Sequence, residues 1–420
     1  MAAKVGQAVL GLATALILAR TFGAQTFGYY AYALSAATLV ATFTRFGFHV
    51  HSVFAIQRAI SSNRSDKVLT VVVVALGAVT LFSAVGGLIV SLLPAVFPSM
   101  EMAPVLAFGL PLVIFTALIP VNGAIMTALG RVVVGAACEA IGKPVIFLVS
   151  VGLYALIHGL DQIDYRVLIL LFISSQVILF VASTVYLFAL VRRLGGKQAF
   201  IRADAFPIVR EARTFLMANG LARCYQEIGV LAVGAFFGPV EVALYRVADQ
   251  ASSFVSFGQQ ALQTVFKPRI AKAFNAGRDA VAKLQTDLTL FVRLLAVVTL
   301  PVIVAFTIGA PWAVLVFGPQ FGPAAPILAV LTLAQAFSIF CGLNDDALIM
   351  TGHANVAARW AVIAVVMTSI VIVPFIHVFG FIGAALAVGL TRVFWNSALV
   401  WSAARLASLH TTVFGRPRKK

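Results

Sequence analysis

Charged side chains are scarce in this chain of 420 residues, because Asp, Glu, Lys and Arg together make up only 10% of it. Hydrophobic residues make up 61%, and the mean hydropathy is +1.03. So little charge cannot form the mostly polar surface that a soluble globular protein of this length needs. The apolar stretches also do not alternate with polar residues, which excludes a membrane β-barrel. The composition therefore predicts a membrane protein made of helices.

Residues that form disulfides or bind metals are also few. The three cysteines, Cys138, Cys224 and Cys341, fall inside apolar stretches, where they act as small packing residues. His49 and His51 could be ligands, but no further Cys, His or acidic cluster lies near them in sequence, which favours solvated loop histidines. We therefore expect no metal site, no cofactor and no catalytic residues.

Twelve apolar stretches are long enough to cross a membrane, since about 20 helical residues span its hydrocarbon core. We predict an all-α integral membrane protein with about 12 transmembrane helices and no sizeable soluble domain. The predicted spans are 5–22, 29–48, 68–93, 103–129, 132–157, 166–191, 215–237, 240–266, 288–309, 324–350, 356–379 and 381–404. The first span could be read as a signal peptide, but its removal would leave eleven spans and place the basic tail outside.

Basic residues are concentrated on one side of this topology. With a cytoplasmic N-terminus, the cytoplasmic loops hold most of the 30 Lys and Arg residues, whereas the opposite loops hold only Arg166, beside several acidic residues. The positive-inside rule then places both termini in the cytoplasm. The net charge of +16 therefore reflects topology and does not indicate nucleic-acid binding.

An internal repeat predicts the architecture. The segment FGAQTFGYYAYA, which begins at Phe22, returns as FGPVEVALYRVA at Phe237. Each half holds six spans, so both enter from the cytoplasm and are related by an axis along the membrane normal. Two parallel six-helix bundles would then enclose a central cavity, as in a transporter. The predicted parts are an N-terminal bundle at 1–191, a basic cytoplasmic linker at 192–207, a C-terminal bundle at 208–405 and a basic cytoplasmic tail at 406–420.

A family resemblance rests on five segments of the second half, in the order FGPVEVALYRVADQ, VFKPRIAKAF, LVFGPQFGPAAPIL, LIMTGHA and FGFIGAALA. They resemble the multidrug/oligosaccharidyl-lipid/polysaccharide exporter superfamily. The segment ILARTFGAQTFGYYAYALSA resembles the opening of its polysaccharide-transport (O-antigen flippase-like) branch. The resemblance implies two six-helix bundles that form a V and move a polyprenyl-pyrophosphate-linked oligosaccharide across the bacterial inner membrane by alternating access. Such transport serves polysaccharide or lipopolysaccharide biosynthesis.

One position departs from that resemblance. The family often has an Asp shortly before the glycine of the seventh span, where this chain has Glu227, Ile228 and Gly229. A coupling role for that Asp therefore does not carry over to this chain.

Charges inside the spans are the best pointers to function, because each costs about 2.5–3.5 kcal/mol at mid-helix. Arginine suits an anionic cargo, since its planar guanidinium grips phosphate oxygens through two hydrogen bonds and stays charged when desolvated. We predict that the cargo-binding residues of the cavity are Arg20, Arg45, Arg223, Arg246, Arg293 and Arg392. Snorkelling to the membrane surface is an equal alternative for the four nearest to span ends, which are Arg20, Arg45, Arg293 and Arg392.

Acidic residues in the spans have two interpretations, as ion-coupling sites or as structural partners of basic residues. The five acidic residues concerned are Glu227, Asp249, Asp345, Asp346 and Glu139, and the same alternatives apply to Lys143 as the basic partner of Glu139. Glu139 with Lys143 and Arg223 with Glu227 are i,i+4 pairs, while Arg246 with Asp249 is an i,i+3 pair. Asp345 and Asp346 interrupt the tenth span beside Asn344, where they could bind a proton or cation, or cap a helix break.

These observations predict a flippase for a lipid-linked oligosaccharide. The alternative is an ion-coupled drug or organic-cation exporter of the same superfamily, whose cavity would be predominantly acidic. An enzyme is not expected, because the outer loops are short and hold few catalytic groups. The expected partners are a lipid-linked anionic oligosaccharide, membrane lipids and polysaccharide polymerase machinery.

Overall fold

The computed structural model describes residues 2–62, 66–193, 205–212, 216–407 and 409–415. Within these ranges the regular elements are all helices and strands are absent, which confirms the predicted all-α class. The chain divides into two compact units, Ala2–Ala243 and Leu244–Lys420. The predicted bundle boundaries stay predictions, and most of the basic linker 192–207 lies outside the described residues.

The first unit is built from helices. They are α1 (Ala2–Thr44), α2 (Phe48–Ser61), α3 (Asp66–Val96), α4 (Ala103–Leu106), α5 (Gly109–Ala128), α6 (Val132–Ala137), α7 (Lys143–His158), α8 (Tyr165–Arg193), α9 (Ala205–Ala212), α10 (Leu216–Phe236) and the start of α11 (Pro239–Ser253). A π-helical turn, Cys138–Gly142, connects α6 to α7.

The second unit continues from α11. Its helices are α12 (Phe257–Ala276), α13 (Arg278–Thr307), α14 (Ala310–Leu315), α15 (Ala325–Cys341), α16 (Asn344–Met350), α17 (Ala354–Phe379) and α18 (Phe381–Ser402). The helices α12 and α13 contribute to an apolar core. Its residues include Phe266 and Ile270 of α12 and Leu288 of α13, all fully buried.

Nine helices of the described chain are long and apolar enough to cross a membrane. They contain ten of the twelve predicted spans, because the first two predicted spans share the stretch Val9–Thr44. The other two predicted spans fall on α10 and on α11 with α12. The helix α11 has only 15 residues and carries Arg246 and Asp249, so its share of a span is short and polar. The protein is a multi-pass membrane protein.

The repeated segments share a glycine, Gly23 in the first half and Gly238 in the second. Both glycines interrupt a helix, but the interruption differs between the halves. In the first half α1 runs from Ala2 to Thr44 and departs from helical geometry only at Gly23, with φ 75° and ψ 174°. This is a left-handed φ that glycine adopts without a steric penalty. In the second half the chain breaks fully between Phe236 and Pro239. The predicted loop at 23–28 is therefore a kink.

Three further details refine the sequence prediction. The stretch after the second span, expected to be a loop, forms α2, because its apolar residues Phe48 and Ile56 recur on one face and are fully buried. The tenth span breaks at Gly342, between α15 and α16. Part of the tail expected at 406–420 also packs into the second unit, where Leu409 and Thr411 are buried.

The helices α1 and α10 pack against each other in an antiparallel register. A Cβ at Gly220 would lie 3.4 Å from the ring of Phe43, one at Gly234 would collide with Tyr32, and one at Gly28 would collide with the carbonyl oxygen of Pro239. In this series of contacts the residue number falls along α1 while it rises along α10, which shows that the two helices run in opposite directions. Glycines at these points let the two helices approach closely, and the register aligns the charged residues of α10 with the end of α1.

Candidate functional site

Five charged residues of the first unit form a basic cluster, which we define as Arg45, Glu139, Lys143, Arg223 and Glu227. Arg45 and Lys143 interact electrostatically with the same two residues, Glu139 and Arg223. Glu227 joins through an ion pair with Arg223. Three cations therefore face two carboxylates, and the cluster keeps a formal excess of positive charge.

Arg45 lies just beyond the C-terminus of α1 and folds back onto that helix. Its Nε atom donates to the carbonyl oxygen of Ala41 at 3.1 Å, and its Nη2 atom donates to Oγ1 of Thr42 at 3.1 Å. A cation at this end of a helix is favoured by the helix dipole. Phe46 and Gly47 then adopt left-handed φ values of 50° and 80°, which turn the chain into α2. The tight turn holds the guanidinium of Arg45 beside the other members of the cluster.

Glu139 and Lys143 are placed by the π-helical turn Cys138–Gly142. Glu139 lies within the turn and Lys143 begins α7. The wider π-helical winding changes the angle between residues four apart, and such turns occur often at functional sites. A Cβ at Gly123 would lie 2.8 Å from the carbonyl oxygen of Gly135. This close approach of α5 to α6 leads the chain directly into the turn.

The predicted pair of Arg223 and Glu227 forms on α10. Its Nε and Oε1 atoms are 3.6 Å apart, and Nη1 of Arg223 also donates to Oε1 of Gln226 at 2.9 Å. The side chain of Glu227 is 3% exposed, whereas that of Arg223 is 46% exposed. The pair therefore neutralises a buried carboxylate while leaving its arginine open to a ligand.

Two histidines of α2 have charged neighbours within the fold, so the interpretation as solvated loop histidines is wrong. His51 is 3% exposed, and its Nε2 atom is 3.3 Å from Oε2 of Glu211 in α9. Burial and the neighbouring charge of Arg45 lower the pKa of His49 to about 4, against an opposing effect of Glu139. His49 is therefore neutral at pH 7. No group of three metal-binding side chains occurs among the described residues.

The acidic pair of the second unit lies at the break in the tenth span. Asp345 and Asp346 occupy the first turn of α16, where the helix dipole favours negative charge. Oδ1 of Asp346 is 2.8 Å from Nζ of Lys267 in α12. Oδ1 of Asn344 accepts a hydrogen bond from the backbone N–H of Asp345 at 2.7 Å. Lys267 is not among the predicted site residues, because it directly follows the predicted span 240–266.

Arg392 belongs to a polar network between three helices of the second unit. Its Nη1 atom donates to Oε1 of Gln335 in α15. Nδ2 of Asn396 donates to the carbonyl oxygen of Arg392 at 2.9 Å, and Nδ2 of Asn344 donates to that of Asn396 at 3.2 Å. The network connects Arg392 to the same helix break that carries the acidic pair.

Arg293 has a partner that neither sequence interpretation included. We call residues 409–415 the C-terminal segment. Nε of Arg293 donates to the carbonyl oxygen of Val413 at 2.8 Å and Nη2 donates to that of Gly415 at 3.3 Å. Gln285 holds the same segment through both its amide atoms, which bond the backbone of His410. Arg293 therefore helps to fasten this segment to α13.

The remaining predicted site residues lie apart from the basic cluster or in the other unit. Arg246 is 3.9 Å from Asp249 by the distance between Nη1 and Oδ2, which is the predicted i,i+3 pair on α11. Arg20 lies on α1 with an exposed side chain. Of the predicted arginines, the structure thus brings Arg45 and Arg223 together within the first unit.

Comparisons with known proteins agree with this fold. A family model described as polysaccharide biosynthesis protein matches residues 1–274. A structure described as an inward-facing multidrug resistance MATE family transporter of the MOP superfamily is 15% identical, with a TM-score of 0.75, and the match covers 96% of this chain and 95% of that one. The lipid II flippase MurJ in an inward closed conformation is 13% identical, with a TM-score of 0.71 over 95% of this chain and 86% of that one.

The comparison with curated proteins found no match. The two solved structures show the fold, which this chain shares with a described multidrug transporter and a described lipid II flippase. Together with the family model, they confirm the predicted superfamily. Since the family model covers well over half of the chain, the protein belongs to the polysaccharide biosynthesis protein family of the multidrug/oligosaccharidyl-lipid/polysaccharide exporter superfamily.

Proposed function

We propose that the protein is a flippase that moves a polyprenyl-pyrophosphate-linked oligosaccharide from the inner to the outer leaflet of the bacterial inner membrane. Alternating access would carry the pyrophosphate and sugar through the protein while most of the polyprenyl chain stays in lipid. Both termini are cytoplasmic in this proposal, following the loop charges. The cargo would then be available to polysaccharide polymerase machinery outside.

The basic cluster is the observation that supports this proposal. Arg45 follows the end of α1, Lys143 begins α7 and Arg223 lies on α10, yet the three converge in one unit, although each charge at membrane depth is costly. Such a cost is offset when the charges bind an anion. A pyrophosphate carries enough negative charge to neutralise the excess positive charge of the cluster.

Each cation would make a different contact with the cargo. Arg45 and Arg223 present planar guanidinium groups that match two phosphate oxygens at once. Lys143 supplies a compact point charge in the same cluster. Glu227 holds Arg223 in place from a buried position, so we assign it a positioning role in place of ion coupling.

A drug or organic-cation exporter is the second candidate, since a similar structure is described as a multidrug resistance transporter. The charge of the cluster argues against it. A site for an organic cation needs an excess of carboxylates, whereas here Glu139 and Glu227 are outnumbered by three cations. Like charges that face each other across a binding site cost several kcal/mol and suppress the wrong ligand.

Substitutions at Arg45 test the proposal in proteoliposomes that flip a fluorescent lipid-linked oligosaccharide. Arg45→Lys keeps the charge but loses the planar fork, so we expect flipping to fall about tenfold, and Arg45→Gln should reduce it further. Arg131→Gln removes an exposed arginine at the start of α6 and is the matched control, with flipping unchanged. Equal rates for Arg45→Lys, Arg45→Gln and the parent protein would reject a pyrophosphate site at this cluster.

A further inference from the structure

An apolar groove opens between α1, α3 and α10 of the first unit. Its volume is about 290 Å³, close to the lower end of ligand pockets. We call it the tail groove. Its lining is almost entirely apolar and includes Tyr32, Leu39, Val90, Phe97, Met100 and Leu231.

The walls that α1 and α3 contribute to the tail groove belong to helices long enough to cross a membrane. Tyr32 and Leu39 belong to the membrane-length stretch Val9–Thr44, and Val90 belongs to Lys67–Val96. At membrane depth a soluble polar ligand would lose its hydration without gaining hydrogen bonds. An occupant of this groove is therefore a lipid chain.

The tail groove also leads directly to the basic cluster. On α1, Leu39 is six residues before Arg45, or about 9 Å along the helix axis. On α10, Leu231 lies one turn beyond Glu227 and two turns beyond Arg223, so the three share one face. Because α1 and α10 are antiparallel, the direction from Arg45 to Leu39 on α1 is the same as the direction from Arg223 to Leu231 on α10. An anion held by the cluster would have its attached chain pointing into the groove.

We infer that the tail groove binds the first part of the polyprenyl chain of the cargo while the basic cluster holds its pyrophosphate. This inference rests on the proposed function. The chain joins the pyrophosphate at one end, so one molecule can occupy both places. A chain held there adds affinity for a long isoprenoid, which separates the cargo from short or soluble pyrophosphates.

Gly234 makes room for one wall of the tail groove. A Cβ at this position would collide with the ring of Tyr32, so glycine lets the ring approach α10 closely. Tyr32 is 5% exposed and lines the groove. The shape of the groove therefore depends on side chains that the pyrophosphate site does not use.

Binding of three probes to the purified protein in detergent tests the inference. The probes are inorganic pyrophosphate, geranyl pyrophosphate and a long-chain polyprenyl pyrophosphate. Leu231→Trp fills the groove, so we expect affinity for the long-chain probe to fall about tenfold while affinity for inorganic pyrophosphate is unchanged. Leu81→Trp places the same ring on an exposed part of α3 and should leave all three affinities unchanged.

Leu39→Ala is the second groove variant, because a truncation does not force other side chains apart. It should weaken long-chain binding about threefold and leave inorganic pyrophosphate unaffected. Unchanged long-chain affinity in both groove variants would overturn the inference. So would an equal loss for all probes, or displacement of the long-chain probe by bulk phospholipid at matched concentration.

The same probes separate this inference from the proposed function. Arg45→Gln should abolish binding of inorganic pyrophosphate while a long-chain polyprenol without phosphate still binds the parent protein and not Leu231→Trp. If the parent protein binds the polyprenol but no pyrophosphate, the result supports the tail groove and rejects the pyrophosphate site. If it binds pyrophosphates with no preference for chain length, the result rejects the tail groove and supports the pyrophosphate site.

Discussion

Lys267 and Asp346 form an ion pair 2.8 Å long that joins α12 to the first turn of α16. The side chain of Asp346 is 5% exposed and that of Lys267 is 43% exposed. The pair sits where the tenth span breaks, and Asp345 lies beside it. Of the two interpretations of these acids, this contact supports the structural one for Asp346.

Removing Lys267 should destabilise the protein, because it leaves a buried carboxylate without its partner. We expect Lys267→Met to cost about 2 kcal/mol of unfolding free energy, below the range for fully buried pairs since Lys267 is partly hydrated. Adding Asp346→Asn should restore most of that loss. Thermal unfolding in detergent measures both. A stable Asp346→Asn single variant that cannot transport would contradict the structural interpretation and make Asp346 an ion-coupling site.

Gly342 should be far less replaceable than Gly352, although both have a left-handed φ, of 76° and 86°. A Cβ at Gly342 would collide with the carbonyl oxygen of Thr411, whereas nothing lies within 4 Å at Gly352. We expect Gly352→Ala to cost about 1 kcal/mol from backbone strain alone and Gly342→Ala about 3 kcal/mol. Unfolding free energies measure the difference. Equal costs would show that the C-terminal segment does not pack at the break in the tenth span.

His49 should make the protein lose stability in acid. Its pKa falls from near 6.5 in the unfolded chain to about 4 in the folded protein, owing to burial and to Arg45. The unfolded state therefore binds the proton first, and stability is lost as the pH falls from about 6.5 to 4, by about 3 kcal/mol. The variant His49→Gln should lose less stability over that range.

The matched control for this titration is His158→Gln, which removes an exposed histidine on α7. Its stability should follow the parent protein between pH 7 and pH 4. An identical pH profile for His49→Gln and the parent protein would mean that His49 is not held in its neutral form.

Topology provides an independent test of the loop charges. A reporter fused after Lys420 should read cytoplasmic, and one inserted near Gln162 should read external. The basic residues of the loops predict this arrangement. An external C-terminus would contradict the twelve-span topology and the transport route built on it.

Most of the helical fold could be predicted from the sequence, because long apolar stretches have few alternatives in a membrane. The helix-internal pairs of Arg223 with Glu227 and of Arg246 with Asp249 could also be predicted, since they depend only on local spacing. The contacts that converge on Arg45 could not, because they join distant parts of the chain through tertiary packing.

Other features gave no readable signal. The π-helical turn at Cys138–Gly142 has no sequence signature, and it changes the geometry of a pair that looks like an ordinary i,i+4 pair. Lys267 follows an apolar stretch and resembles a loop residue, yet it reaches Asp346 in another helix. Arg293 fits equally well with a cavity or a membrane surface until its bonds to Val413 and Gly415 are seen.

The most direct test of the central claim compares two cargoes in the same proteoliposomes. One is a fluorescent polyprenyl-pyrophosphate-linked oligosaccharide, whose appearance in the opposite leaflet is followed by a membrane-impermeant quencher. The other is a fluorescent organic cation, whose movement is followed by its accumulation. We predict that the protein flips the lipid-linked oligosaccharide and leaves the cation where it is. Movement of the cation without flipping of the lipid-linked oligosaccharide would contradict the account.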